Sequence, residues 1–154
     1  MKIRLKRRGA SYGVRLPENK LTHEKQIEPL PLPEKVIIPL QQNIGAPCEA
    51  VVKRGDKVLT GQKIGDSARF VSAPVHATVS GEISATTMVI NPPTGQPVTA
   101  LVITSDGEDK WTKLETPKEP ETLSAKEILG KIREAGMVGM GGATFPTHVK
   151  LSPP

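Results

Sequence analysis

The chain has 154 residues, only 3% aromatic and 36% apolar but with 15 prolines, so it suits one domain with appendages around a modest aliphatic core and excludes a helical bundle as the main architecture. Formal net charge is +5, and Lys2, Arg4, Lys6, Arg7 and Arg8 account for all of it, because the remaining residues balance at 16 basic against 16 acidic. One cysteine excludes an internal disulfide and a four-thiolate iron–sulfur cluster within this chain, and no apolar run approaches the ~20 residues needed for a membrane-crossing helix.

Residues 1–34 read as a basic strand followed by an extended, wrapping arm. Met1, Ile3 and Leu5 alternate with Lys2, Arg4 and Lys6, the period of a strand with one apolar and one basic face. Either the charges solvate an edge strand, where lysines discourage unwanted pairing, or the arm meets anionic lipid, RNA or an acidic partner. No aromatic pair accompanies them to stack on bases, so no nucleic-acid partner is expected. Nor does an apolar stretch follow, so the start is not a secretory signal and the chain is expected to be cytoplasmic. A turn is predicted near Gly9 to Gly13, and Pro29, Pro31 and Pro33 enforce an extended backbone.

Residues 35–105 predict a compact antiparallel β domain. β-Branched runs at Val36–Ile38, Val51–Lys53, Val58–Ile64, Phe70–Ser72, Thr78–Val79, Thr86–Ile90 and Val98–Thr104 alternate with turn signals, and Asn91 to Gln96 make a hairpin loop. Cys48 lacks a neighbouring base and reads as a small buried filler. Arg54, Gly55 and Asp56 match an adhesion tripeptide, but a hairpin turn explains them better. His23, His76 and His148 share no ligand spacing, so no metal site and no catalytic residue are expected.

Residues 106–122 form a polar linker broken by Pro117 and Pro120, with Trp111 as its large anchor. Over 123–154, Ser124 caps a helix, Glu127 completes a capping box, and Ile128, Leu129 and Ile132 set one apolar stripe facing a partner. Gly136 closes that helix. The run Gly139 to Lys150, GMGGATFPTHVK, then concentrates bare backbone at Gly139, Gly141 and Gly142, followed by a hydroxyl at Thr144, an aromatic face at Phe145, and Pro146, which suits a first helical turn. Orphan amides and the dipole of such a helix favour phosphate or pyrophosphate, without choosing between flavin and nicotinamide. The alternative is a flexible surface loop in which His148 is exposed and Phe145 covers the short helix. Because the helix and loop lack a surrounding sheet, the chain is expected to be the front part of a longer protein.

Two resemblances sharpen these expectations. VKRGDKVLTGQKI (52–64) and SAPVHATVSGEI (72–83) resemble the barrel-sandwich hybrid of lipoyl and biotinyl carrier domains, except that residues 65–71 carry no lysine for covalent modification. The order PENKLT, IEPLPLPEKVIIPL, NIGAP, GDKVLTGQKIG, SAPVHATVSG and REAGMVGMGGATFPTHVKLSPP resembles the amino-terminal part of the C subunit of the Rnf electron transport complex. One departure is Arg15, where that family usually has histidine. The resemblance implies a peripheral protein on the cytoplasmic face of the inner membrane, working with other subunits in a complex that couples electron flow between NADH and ferredoxin to ion movement. It also implies flavin mononucleotide and NADH as cofactors of the parent subunit, and two four-iron clusters beyond this chain. Gly139 to Lys150 also looks like the flavin-site loop in the NADH-oxidising subunit of respiratory complex I, which has arginine in place of Met140. By that likeness Gly139, Gly141, Gly142 and Ala143 let cofactors approach, Thr144 and Phe145 adjoin them, and Lys150 offers positive charge. The implied fold is mainly β, with 123–154 opening an α/β flavin domain, and this chain alone should bind flavin weakly or not at all. The competing expectation is a non-catalytic, carrier-like β module that docks partner subunits; an RNA-binding arm ranks last.

Overall fold

A computed structural model describes residues 17–91, 95–114 and 119–152. The expected basic strand, the turn near Gly9 to Gly13, Arg15, Pro117 and the middle of the Asn91–Gln96 loop therefore lie outside the described residues. The chain divides into two compact units, Met1–Leu30 and Pro31–Pro154. In the first, residues 17–30 are exposed throughout and hold one turn, closed by the Lys25 amide on the Thr22 carbonyl at 3.0 Å. Ile27 is 98% exposed and Leu30 88%, in line with prolines that keep this stretch extended.

In the second unit seven strands build two small sheets: β1 (Lys35–Pro39), β2 (Glu49–Ala50), β3 (Lys57–Val58), β4 (Lys63–Asp66), β5 (Val75–His76), β6 (Gly81–Ile90) and β7 (Pro97–Ser105). One sheet runs β1-β7-β6-β3 and the other β2-β4-β5, with every pairing antiparallel. Between them lies an aliphatic core in which Ile64, Ile83 and Ile103 are fully buried and Val58, Val79 and Leu101 nearly so. With so few aromatics, β-branched residues fill this space, where their stiff side chains suit a pleated, half-buried surface.

Several predicted runs are cut shorter than the sequence suggests. Val58–Ile64 reads as one strand but is β3 and β4 separated by a turn at Gly61, whose φ is +80°. The turn is closed within the run by the Gln62 amide on the Leu59 carbonyl and the Leu59 amide on Gln62 Oε1, and braced from outside it, where Thr60 donates through Oγ1 to Asp109 and through its amide to the Lys110 carbonyl. Val51–Lys53 and Phe70–Ser72 are turns rather than strands, and the predicted Thr78–Val79 strand is replaced by β5 three residues earlier. Arg54 to Asp56 form a tight turn: Gly55 has φ +90°, and Asp56 accepts the Lys53 amide at 2.9 Å. This is the hairpin reading of the tripeptide. Cys48 is buried at 7% exposure and donates to the Ala73 carbonyl.

After a 3₁₀ turn at Pro120–Thr122 comes α1 (Ala125–Glu134), with the predicted capping box complete: the Ser124 side chain accepts the Glu127 amide while Glu127 accepts the Ser124 amide. None of its residues is buried, so Ile128 remains 41% exposed on the amphipathic stripe. Gly136 at φ +65° ends the helix. The last element, α2 (Thr147–Lys150), is a single turn.

Candidate functional site

The glycine segment is built as a closed loop with two feet. At its neck the Gly139 amide donates to the Phe145 carbonyl at 2.9 Å, Val138 and Pro146 form an antiparallel bridge, and the Thr147 amide donates to the Met137 carbonyl at 3.0 Å. Glycine is not needed for space at the tip: a Cβ added at Gly141 or Gly142 would meet nothing within 4 Å, and neither has the positive φ that only glycine takes readily. Those two residues leave the backbone at the tip open to solvent. Among the described residues, the amides of Met140, Gly141, Gly142 and Ala143 donate no hydrogen bond. Met140 is fully solvent-exposed.

The remaining predicted residues fall into two groups. Lys150 comes to the neck, where its Nζ lies 3.2 Å from the position of a Cβ on residue 139, and the backbone of the half-buried Phe145 meets Gly139 there through the neck hydrogen bond. Gly139, Phe145 and Lys150 are thus brought together. Ala143 and Thr144 turn the other way, towards the β module: the Ala143 carbonyl accepts the Ile44 amide at 3.2 Å, and Thr144 donates through Oγ1 to the Gln42 carbonyl at 3.0 Å. Thr144 adopts φ +44°, uncommon for a β-branched residue, and its amide bonds to the Gly141 carbonyl.

Two expectations need correction. Pro146 is not the first helical residue but the one before it, with φ −57° and ψ 125°, and the amide of Thr147 that would open the helix is already taken by Met137. A one-turn helix with its first donor engaged is a poor anion seat, whereas the tip offers four consecutive amides that donate to nothing among the described residues. His148 is likewise not an exposed loop residue: it is 4% exposed, its Nε2 donates to the Phe70 carbonyl at 3.0 Å, and its ring meets Phe70 edge-on at 5.8 Å. Its Nδ1 is buried without a partner among the described residues. His148 pins the rear foot, a role that no spacing in the sequence signals because Phe70 lies 78 residues away.

The front foot is held by charge. Arg133 and Glu134, at the end of α1, meet Lys63 and Asp66 of β4: Arg133 to Asp66 at 2.8 Å and Lys63 to Glu134 at 2.7 Å, with Lys63 to Asp66 at 2.8 Å closing the cluster. Burial pushes the Asp66 carboxyl up, but hydrogen bonds from Lys63, the Ser67 amide and Arg133 outweigh it and hold the group below the usual carboxylate range. The hydrogen bond from Lys63 holds Glu134 down in the same way. Nearby, burial pushes the Cys48 thiol up to about 11, aided by the Asp66 charge, so it is no nucleophile at neutral pH. Among the described residues no cluster of histidine, cysteine, aspartate and glutamate is arranged to hold a metal ion, and no helix is long and apolar enough to cross a membrane.

Residues 9–108 match the family model described as the RnfC barrel sandwich hybrid domain. Over 136 residues, 88% of this chain, the sequence is 50% identical to the C subunit of the proton-translocating ferredoxin:NAD(+) oxidoreductase complex of Clostridium ljungdahlii, of which it covers 30%. It is 48% identical over 79% of its length to the C subunit of the Na(+)-translocating ferredoxin:NAD(+) oxidoreductase complex of Acetobacterium woodii, covering 28% of that protein. It is 45% identical over 86% of its length to the C subunit of the ion-translocating oxidoreductase complex of Rhodobacter capsulatus, covering 26%. The chain therefore spans less than a third of these relatives.

Proposed function

The chain belongs to the RnfC family, through its barrel sandwich hybrid domain, and on that footing we propose that it is the amino-terminal part of a peripheral electron-input subunit in a membrane-bound, ion-translocating ferredoxin:NAD oxidoreductase. In this reading residues 1–34 are an arm, 35–105 the barrel-sandwich module, 106–122 a linker, and 123–154 the start of a nucleotide-binding domain that the longer relatives complete. The observation that carries it is the tip of the glycine loop. Donors without partners at Met140 to Ala143, open space over Gly141 and Gly142, and the Lys150 cation at the neck suit the phosphate of flavin mononucleotide or the pyrophosphate of NADH. Flavin, when bound, supplies the exchange between hydride and single electrons. The residues of this chain bind and orient: the tip amides take anionic oxygens, Lys150 adds long-range attraction, and Phe145 offers an apolar flank. No side chain here is required as an acid or base. With one cysteine this chain cannot supply four thiolates, so in this reading the clusters of the parent subunit are held by other residues.

A family chain extended to the length of the relatives should acquire flavin and oxidise NADH with an artificial acceptor. If the extended protein holds flavin with the same affinity after Gly141→Val and Gly142→Val together, the loop is not the seat. The docking reading has its own support. Residues 65–71 carry no lysine, and Lys63 just before them is engaged with Asp66 and Glu134, so nothing there serves as a swinging arm. An extended chain that stays colourless and inactive yet assembles with its partner subunits would favour that alternative.

A further inference from the structure

We propose that the β module is a positioning template for the glycine segment, gripping residues 133–148 at three separate places. At the front, Asp66 and Lys63 hold Arg133 and Glu134, and Arg133 also donates to the Ser67 carbonyl at 2.7 Å. Gly136 seats this end directly on the module. A Cβ there would lie 2.5 Å from the Pro74 carbonyl oxygen and 3.2 Å from His76 Nδ1, so the chain passes closer than any other residue allows. At the tip's return, Gln42 and Ile44 bind Thr144 and Ala143. At the rear, the Phe70 carbonyl holds His148.

The grips come from β4 with the connection that follows it (63–70), the 74–76 corner and the 41–46 connection, while Met140 to Gly142 at the tip receive no bond from the module. The connection at 41–46 is itself tied down: Gln41 donates to the Gly45 carbonyl at 2.8 Å, and the Ala46 amide donates to the Val71 carbonyl at 2.9 Å. The latter bond ties it to the connection that follows β4, so the gripping segments brace one another. A loop fixed at both feet and at its return offers its donors without first losing conformational freedom, which is where preorganised binding gains affinity. Gln42, Ile44, Asp66 and Phe70 are accordingly positioning residues for the loop. What the template serves rests on the nucleotide reading above, but the gripping itself does not.

Hydrogen exchange on the 154-residue chain tests the inference without any ligand. Asp66→Asn removes the charge that meets Lys63 and Arg133. Thr144→Val removes the hydroxyl that donates to Gln42, and Thr144→Ser keeps it. The bonded amides of Gly139, Thr144 and Thr147 should exchange about three- to tenfold faster in Asp66→Asn and Thr144→Val, and at the parent rate in Thr144→Ser, while β6 and β7 amides stay unchanged. Unchanged loop rates in both weakened variants overturn the proposal. So does equal acceleration in β6 and β7, which would mean a general loss of stability rather than loss of a grip. A longer chain that fails to bind nucleotide would leave this result standing, so the two readings fail separately.

Discussion

Glycines in this chain do two opposite jobs, and single substitutions separate them. At Gly45 a Cβ would sit 2.2 Å from the Val71 carbonyl oxygen, in a backbone already at φ +135°. Gly45→Ala should therefore cost about 2–4 kcal/mol through strain and backbone displacement, seen as a lower urea midpoint. Gly141 meets nothing and has no positive φ, so Gly141→Ala should change stability by less than about 0.5 kcal/mol. An equal loss of stability in both variants would refute this distinction. The sequence shows both as glycines in short motifs and cannot tell them apart, because the difference lies in what faces the missing side chain. The same holds for His148: its chemistry is visible in the sequence, but its burial under Phe70 depends on a long-range approach that no local pattern encodes.

Local chemistry does account for whole elements where the signal is complete within a few residues. The capping box at Ser124 and Glu127, the stop at Gly136 and the outer half of the β6–β7 hairpin, from Thr86 on, are legible because each is written in adjacent or periodic residues; the pairing back to Gly81 is not. The division of Val58–Ile64 is marked locally by Gly61, in a turn closed by the Gln62 amide on the Leu59 carbonyl, and a reading of the run as one strand passes over it; what no local pattern signals is the tie of Thr60 to a segment about 50 residues later. The attachment of α1 is likewise not legible, since it depends on four charges from two distant elements. That attachment gives a pH prediction. Asp66 and Glu134 face Lys63 and Arg133, with His76 and Cys48 close by, and both carboxyls lie below their ordinary range. The unfolded chain therefore binds more protons in acid, so their stabilisation is present above the unfolded carboxylate pKa of about 4 and is lost as pH falls through the folded values. Lys63 is shifted up, chiefly by its hydrogen bond to Asp66, so its share persists below about pH 10 and disappears only as pH rises beyond its folded value. His76 is shifted down by burial, so charging it below about pH 6.5 disfavours the folded state first. Loop-amide protection should thus be level near neutrality and fall in two stages on acidification. In Asp66→Asn the later, carboxylate stage should shrink; a second stage of undiminished size would show that these pairs do not hold the helix.

At the scale of the molecule the two parts are unequal, and the inequality can be measured. All residues of the buried core lie between Ile38 and Ile103. α1 buries none of its residues, and its ten-residue length is too short for a stable isolated helix in water, which needs roughly 12–15 residues even in favourable sequences. The module should therefore fold without the helix and loop, whereas the helix and loop should not fold without the module. A chain ended after Leu114 keeps β1 to β7 and the ties from Asp109 and Lys110 to Thr60. It loses the partly exposed ion pairs and the His148 contact, together worth about 1–3 kcal/mol. It should keep a dispersed amide spectrum and a single cooperative thermal transition at a somewhat lower midpoint. A peptide of residues 119–154 should show little helix by far-ultraviolet circular dichroism, because its ion-pair partners Lys63 and Asp66 and the carbonyls of Gln42 and Phe70 are all on the missing part. If the shortened chain is unfolded, or the peptide is helical alone, the dependence runs the other way and the glycine segment cannot be read as a guest on a preformed β scaffold.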